Sequence, residues 1–188
     1  LGLPDGVNFA GVDLNMGCPE KTVVKNGVCS ALIQNRELAE QIIDATAKGL
    51  DGKLPLSVKT RTGFDKVDLT WHEFLLSKNL DALTVHGRTK QQMSKVPADW
   101  DVIRQIRELR DQTAPDTLII GNGDVQDRLQ GLALQKQSGV DGIMIGRGVF
   151  HDPFAFSKDS PWESFSPDQR IALYKKHVEL FADTWKNR

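Results

Sequence analysis

Cys18 lies between Gly17 and Pro19, just past an apolar run ending at Met16, with Asn15 three residues upstream. A thiol in such a loop is open enough to react, and it can give or take a proton. Free cysteine is also among the most buried residue types, so a packed structural thiol is the competing reading. The polar Asn15 at the same strand end shifts the balance toward chemistry. Lys59 is the fourth residue of the run Leu56-Ser57-Val58-Lys59, and Arg61 shares its face by the two-residue period of a strand. A lysine in such a run is costly to bury without a negative partner. An anion or an electron-rich ring would supply one. Arg61 fits a charged strand end reaching solvent better than Lys59 does. His86 and Arg88 repeat the arrangement after Leu83-Thr84-Val85. A lone histidine is more often structural than catalytic, and only its place at a strand end argues for function.

Asn122-Gly123-Asp124 and Gly146-Arg147-Gly148 are candidates for holding a phosphate. Glycines let backbone N–H groups approach an anion closely, and Arg147 adds a charge-assisted contact. Asp124 has the wrong sign for that task and is expected to cap the next helix. Cys29 sits among small residues where helix begins, which reads as packing.

These residues follow five strand-like runs that alternate with helical patterns, and alternation of this kind means a parallel sheet. The expected strands are Ala10 to Met16, Leu56 to Lys59, Ala82 to Val85, Leu118 to Ile120 and Gly142 to Ile145. The choice is between an open doubly wound sheet and a barrel. A polar or glycine cluster after every strand favours the barrel, whose strand C-termini share one face and whose phosphate site follows the last two strands. The fold class expected is therefore α/β, a TIM (β/α)8 barrel represented by its last five strands, with three earlier strands outside the chain. Val58 and Val85 are expected to face inward. Thr70 to Glu73 reads as a capping box opening a helix that buries Phe74 and Leu75. A second capping signal, Ser166-Pro167-Asp168-Gln169, precedes Ile171, Tyr174, Val178, Phe181 and Trp185 at alternating spacings of three and four. Two domains are expected: 1–157 as the barrel units, and 158–188 as a linker and the first helix of a helical module.

The totals narrow the function. The chain has 188 residues, 39% hydrophobic and 26% charged, with a formal net charge of −1. No global positive field draws it to nucleic acid, so RNA binding needs a local patch. Its apolar runs are too short to span a bilayer. Two cysteines make neither a disulfide framework nor a metal cluster, and reduced thiols in the cytoplasm are the default.

Taken in order, Asp13-Leu14-Asn15-Met16-Gly17-Cys18-Pro19, Val58-Lys59-Thr60-Arg61, Val85-His86-Gly87-Arg88-Thr89, Gly121-Asn122-Gly123-Asp124 and Met144-Ile145-Gly146-Arg147-Gly148 resemble the tRNA-dihydrouridine synthases. The match runs from about Gly11 to Phe156. The resemblance implies a flavin-dependent barrel with a C-terminal helical domain that grips tRNA. It implies FMN as cofactor, NADPH as reductant, and reduction of the uracil C5–C6 bond. Cys18 corresponds to the proton donor. Lys59, His86, Asn122, Gly123, Asp124, Gly146 and Arg147 correspond to flavin-site residues. Asn15, Arg61 and Arg88 correspond to positions near substrate RNA or shaping its pocket. Val28 and Cys29 stand where the family usually has small residues. The family's contacts from its first and third strands, and most of its tRNA-binding domain, are expected to lie outside this chain. By itself the chain is then expected to be poorly soluble and inactive. Two alternatives remain: another FMN-dependent barrel acting on a free pyrimidine, and a non-catalytic fragment.

Overall fold

A computed structural model describes residues 9–186. Along the chain lie β1 (Val12–Met16), α1 (Lys21–Lys25), a 3-10 turn over Cys29–Gln34, α2 (Arg36–Leu50), β2 (Leu56–Arg61), α3 (Leu69–Leu76), β3 (Ala82–His86), α4 (Trp100–Thr113), β4 (Leu118–Asn122), α5 (Arg128–Ser138), β5 (Gly142–Met144), α6 (Gly148–His151), a 3-10 turn over Trp162–Ser164 and α7 (Pro167–Trp185). The five strands form one parallel sheet in the order β1-β2-β3-β4-β5. A doubly wound sheet reverses its strand order at a switch point. No reversal occurs here, so the sheet is an arc of the barrel type.

Strands β2, β3 and β4 run further than their apolar stretches. Arg61, His86 and Asn122 are the last residues of their strands, and Arg61 pairs with His86, His86 with Asn122, and Asn122 with Met144. Ladder pairing between neighbours overrides the weak strand propensity of these residues. The polar groups thus form one row in register.

Side-chain alternation sets the two faces. Leu56, Val58, Thr60, Leu83, Val85 and Ile119 are buried. The apolar ones pack with Trp71, Leu75, Ile103 and Ile106 of the helices. Trp71 Nε1 donates to Thr60 Oγ1 at 3.0 Å, fixing that side as the helix-covered one. Val58 and Val85 therefore face the helices and not the barrel interior, which corrects the sequence expectation. Period two decides it: if Lys59 faces the interior, Val58 cannot.

Two helix starts differ in kind. Asp68, not Thr70, caps α3; its Oδ1 accepts from Trp71 N at 3.1 Å and from Thr70 Oγ1 at 2.7 Å. The helix begins one residue before Thr70, so Glu73 falls beyond the third helical position and the expected box cannot close. Leu75 is buried, whereas Phe74 is only partly covered. The expected box at α7 does form: Gln169 N donates to Ser166 Oγ at 3.3 Å, and Ser166 N donates to Gln169 Oε1 at 2.8 Å. The α7 seam from Ile171 to Trp185 is largely exposed.

Candidate active site

Five strand ends bring the chemistry-bearing residues to one rim. Asn15, one residue before the end of β1, turns its amide forward on the chain: Oδ1 accepts from Gly17 N and Cys18 N, both at 3.1 Å. This short bridge shapes the turn that presents Cys18, whose side chain is partly exposed. Cys29 lies close by. Ser30 N donates to Cys18 O at 3.4 Å, and burial followed by the neighbouring Cys18 pushes the Cys29 thiol above its ordinary value. Cys29 has a φ of 54°, the left-handed region where glycine fits without strain.

Asn122 is the hub of the row. Its Nδ2 donates to Met144 O at 2.8 Å, which fixes the amide orientation. Oδ1 must then accept, and it receives Lys59 Nζ at 3.2 Å and His86 Nδ1 at 2.9 Å. With its hydrogen on Nδ1, His86 presents a lone pair at Nε2, where Arg88 Nη1 donates at 3.2 Å. Burial and then the cations Arg61, Lys59 and Arg88 push His86 down to about 4. It is neutral at pH 7 and has no proton to release as an acid there. Burial, then Arg61, also pushes the Lys59 ammonium below its ordinary value.

Arg61 does not reach solvent as a charged strand end would; it is 8% exposed. Its Nε donates to Gly17 O at 2.7 Å, and its Nη1 to Thr89 O at 3.0 Å and Met93 O at 3.2 Å. Arg88 is likewise buried. It donates to Val96 O and to both carboxylate oxygens of Asp124, one at 2.7 Å. Asp124 does not cap α5, and this corrects the sequence expectation; Asp127 does so, accepting from Gln130 N at 2.8 Å. Asp124 instead has a φ of 56°, accepts from Ala98 N at 2.8 Å, and lies 3.7 Å from Arg147. Burial alone would raise its carboxyl, but the Arg88 bonds outweigh this and hold it below the usual carboxylate range.

A cleft of about 430 Å³ opens beside this row, lined by residues that include His86, Asn122, Gly123, Gly146, Arg147 and His151. Gly123 has a φ of +127°, and a Cβ there would meet the Ala98 Cβ at 2.6 Å. A Cβ at Gly146 would meet no protein atom within 4 Å, so that backbone faces open space on the cleft wall. Among the described residues, no carboxylate pairs with Lys59 or Arg61 within 4.0 Å. Lys59 is part-buried with Asp13 acting on it from beyond pairing distance, and Arg61 is buried on backbone carbonyls; cations so placed favour an anionic ligand. The cleft volume, the Gly123 and Gly146 turns and Arg147 suit a phosphate-bearing ligand, with Asp124 on the same wall engaged by Arg88. His151 and Gln126 also line the cleft and were not singled out in the sequence. His151 lies four residues past Arg147, one helical turn on, which is the signal that marks it.

A family model described as "Dihydrouridine synthase (Dus)" matches residues 5–187. The chain belongs to the dihydrouridine synthase family. A Staphylococcus epidermidis protein described as "Probable tRNA-dihydrouridine synthase" is 45% identical over 183 residues, covering 96% of this chain and 54% of that relative. A Staphylococcus aureus protein of the same description is 45% identical over 177 residues, covering 93% of the chain and 52% of the relative. A Bacillus subtilis "Probable tRNA-dihydrouridine synthase 2" is 46% identical over 177 residues, covering 93% and 53%. The chain spans about half the length of the curated relatives it matches. Dihydrouridine synthases are TIM barrels, and the sequential parallel strands agree with that architecture. No helix among the described residues is long and apolar enough to cross a membrane.

Proposed function

We propose that this chain carries the catalytic centre of a tRNA-dihydrouridine synthase, reducing the C5–C6 bond of a uridine in tRNA. One observation carries the reading. The Cys18 turn stands on the same rim as the part-buried Lys59 and the buried Arg61, neither of which is ion-paired within 4.0 Å among the described residues. Such a site suits a reaction that builds negative charge on a pyrimidine ring.

FMN would be held at its phosphate end by the Asn122-Gly123 turn and by Gly146 and Arg147, with Lys59 and His86 toward its ring. When bound, it supplies the hydride that reaches uracil C6, and NADPH restores its electrons. The chain's own residues do the rest. Cys18 gives its Sγ proton to C5. Lys59 and Arg61 lower the energy of charge developing on the ring, in a setting where water screens little. His86, bonded at both nitrogens and pushed down to about 4, stays neutral near pH 7 and orients its neighbours. The target base must leave its stack to reach a site lying inside a strand row. Arg147 and the cationic row supply locally what a net charge of −1 does not supply globally. The same reading places the protein with its tRNA in the cytoplasm, and it gives 1–157 the chemistry and α7 a part in gripping RNA.

The test uses the complete protein with NADPH and unmodified tRNA. The reading expects the tRNA to gain the mass of two hydrogens at a uridine, while free uridine stays unchanged. Equal turnover of the free nucleoside would move the assignment to a pyrimidine oxidoreductase.

A further inference from the structure

The Cys18 turn belongs to no helix or strand, yet it is tied down closely. Gly17 passes so near β2 that a Cβ on it would lie 3.2 Å from the Thr60 backbone. Thr60 Oγ1 donates to Met16 O at 3.1 Å. Asn15 Oδ1 holds the Gly17 and Cys18 N–H groups, and the Gly17 carbonyl is held in turn at 2.7 Å by Arg61 Nε. That carbonyl belongs to the peptide group leading into Cys18, so its direction sets where the thiol starts.

The same guanidinium reaches a second loop. Arg61 Nη1 donates to Thr89 O and Met93 O, both in the segment after β3. Met93 has a φ of 51°, an uncommon conformation for an unbranched side chain, and its carbonyl is held on the Arg61 fork. One side chain thus couples the loop after β1 to the loop after β3. No carboxylate pairs with it within 4.0 Å among the described residues, and burial followed by repulsion from Arg88 lowers its basicity. Its hydrogen-bond partners among the described residues are three backbone carbonyls, and Cys18 adds a weaker favourable charge interaction. A planar fork can meet carbonyls in two directions at once; an ammonium on a flexible stem cannot hold the same directions.

We infer that Arg61 is a positioning residue for Cys18, acting through the Gly17 carbonyl and locking the Thr89–Met93 segment to the same rim. The inference rests on the reading of Cys18 as the proton donor. It differs from a role in contacting RNA directly, because two of the three guanidinium nitrogens already hold backbone carbonyls.

The experiment compares Arg61→Ala and Arg61→Lys in the complete, flavin-loaded protein. Each is made in a Cys29→Gly background, and alkylation of Cys18 by iodoacetamide is followed on its own peptide by mass spectrometry. We expect both variants to keep the flavin. Cys18 alkylation rates should change severalfold, and kcat for dihydrouridine formation should fall about 100-fold with KM little moved, the loss typical of a misplaced reacting group. Millimolar methylguanidine should restore kcat and alkylation in Arg61→Ala and do neither in Arg61→Lys. A rise in KM at unchanged kcat would instead make Arg61 a substrate contact. Unchanged alkylation and kcat in Arg61→Lys would remove the clamp altogether, even if Arg61→Ala failed to fold. The two layers fail separately. Altered Cys18 alkylation in the Arg61 variants, alongside a Cys18→Ala enzyme of full activity, would keep the clamp and reject the proton-donor reading.

Discussion

Asn122→Ala removes the hub of the rim, and its cost follows from what it leaves behind. Met144 O loses its donor, and Lys59 Nζ and His86 Nδ1 lose a shared acceptor. A buried polar group left without a partner costs about 1–3 kcal/mol. Lys59, His86 and Met144 are all partly accessible, so water recovers some of this and the lower end applies to each. Three losses of that size sum to about 3 kcal/mol. With a urea m-value near 2 kcal/mol/M, the unfolding midpoint should drop by about 1.5 M. Imidazole nitrogen shifts give an independent readout. His86 should carry its hydrogen on Nδ1 in the parent and keep it there in Asn122→Ala, because Arg88 Nη1 still donates to Nε2, while the Nδ1 shift should move as that N–H loses its acceptor. Asn122→Asp is the companion. It keeps the shape, cannot donate to Met144 O, and sets a carboxylate beside His86, whose pKa should climb well above its starting value of about 4. A cost under about 0.5 kcal/mol for Asn122→Ala, the level of an ordinary surface change, together with an unmoved His86 Nδ1 shift, would refute the hub.

Other expectations follow from single residues. His72 is fully buried and is pushed down by burial to about 4 from an ordinary 6.5. Between those values the unfolded chain takes up a proton that the folded chain resists, so stability present above pH 6.5 is lost as pH falls toward 4. His72 should account for about 2 kcal/mol of lost stability between pH 7 and 5, visible as a flatter pH dependence in His72→Gln. Cys29→Gly relieves a left-handed cysteine and should stabilise by up to about 1 kcal/mol in thermal unfolding; a destabilised variant would mean the thiol packs better than its backbone suggests. Gly123→Ala forces a Cβ against Ala98 at a φ few other residues adopt, and should cost about 1–3 kcal/mol along with flavin affinity. Arg147→Ala removes a largely exposed guanidinium and should weaken flavin retention about 10–100-fold on dialysis without lowering the unfolding midpoint.

The strand ends were legible because local rules mark them. Apolar runs stop at polar or glycine clusters, and Lys59 and Arg61 share a face by simple alternation. What the sequence hid were pairings between distant segments. Arg88 and Asp124 lie 36 residues apart, and nothing local says that the carboxylate answers a buried arginine before it caps a helix. Arg61 looked suited to solvent because its partners are backbone carbonyls, which carry no mark in the sequence. Val58 and Val85 lie on the helix side because they alternate with Lys59 and Thr84, and the faces become plain only once the sheet register shows which residues share them. At α3, Asp68 and Thr70 are both good caps, and the choice depended on where Trp71 meets Thr60.

The central claim is that Cys18 protonates a base reduced at this rim. Single-turnover kinetics of Cys18→Ala in the complete protein test it most directly. The account predicts that NADPH bleaches the flavin at the parent rate, while dihydrouridine forms about 10²–10⁴-fold more slowly, the usual worth of a positioned general acid. Parent-rate dihydrouridine formation by Cys18→Ala, or loss of flavin binding with turnover spared, would contradict it.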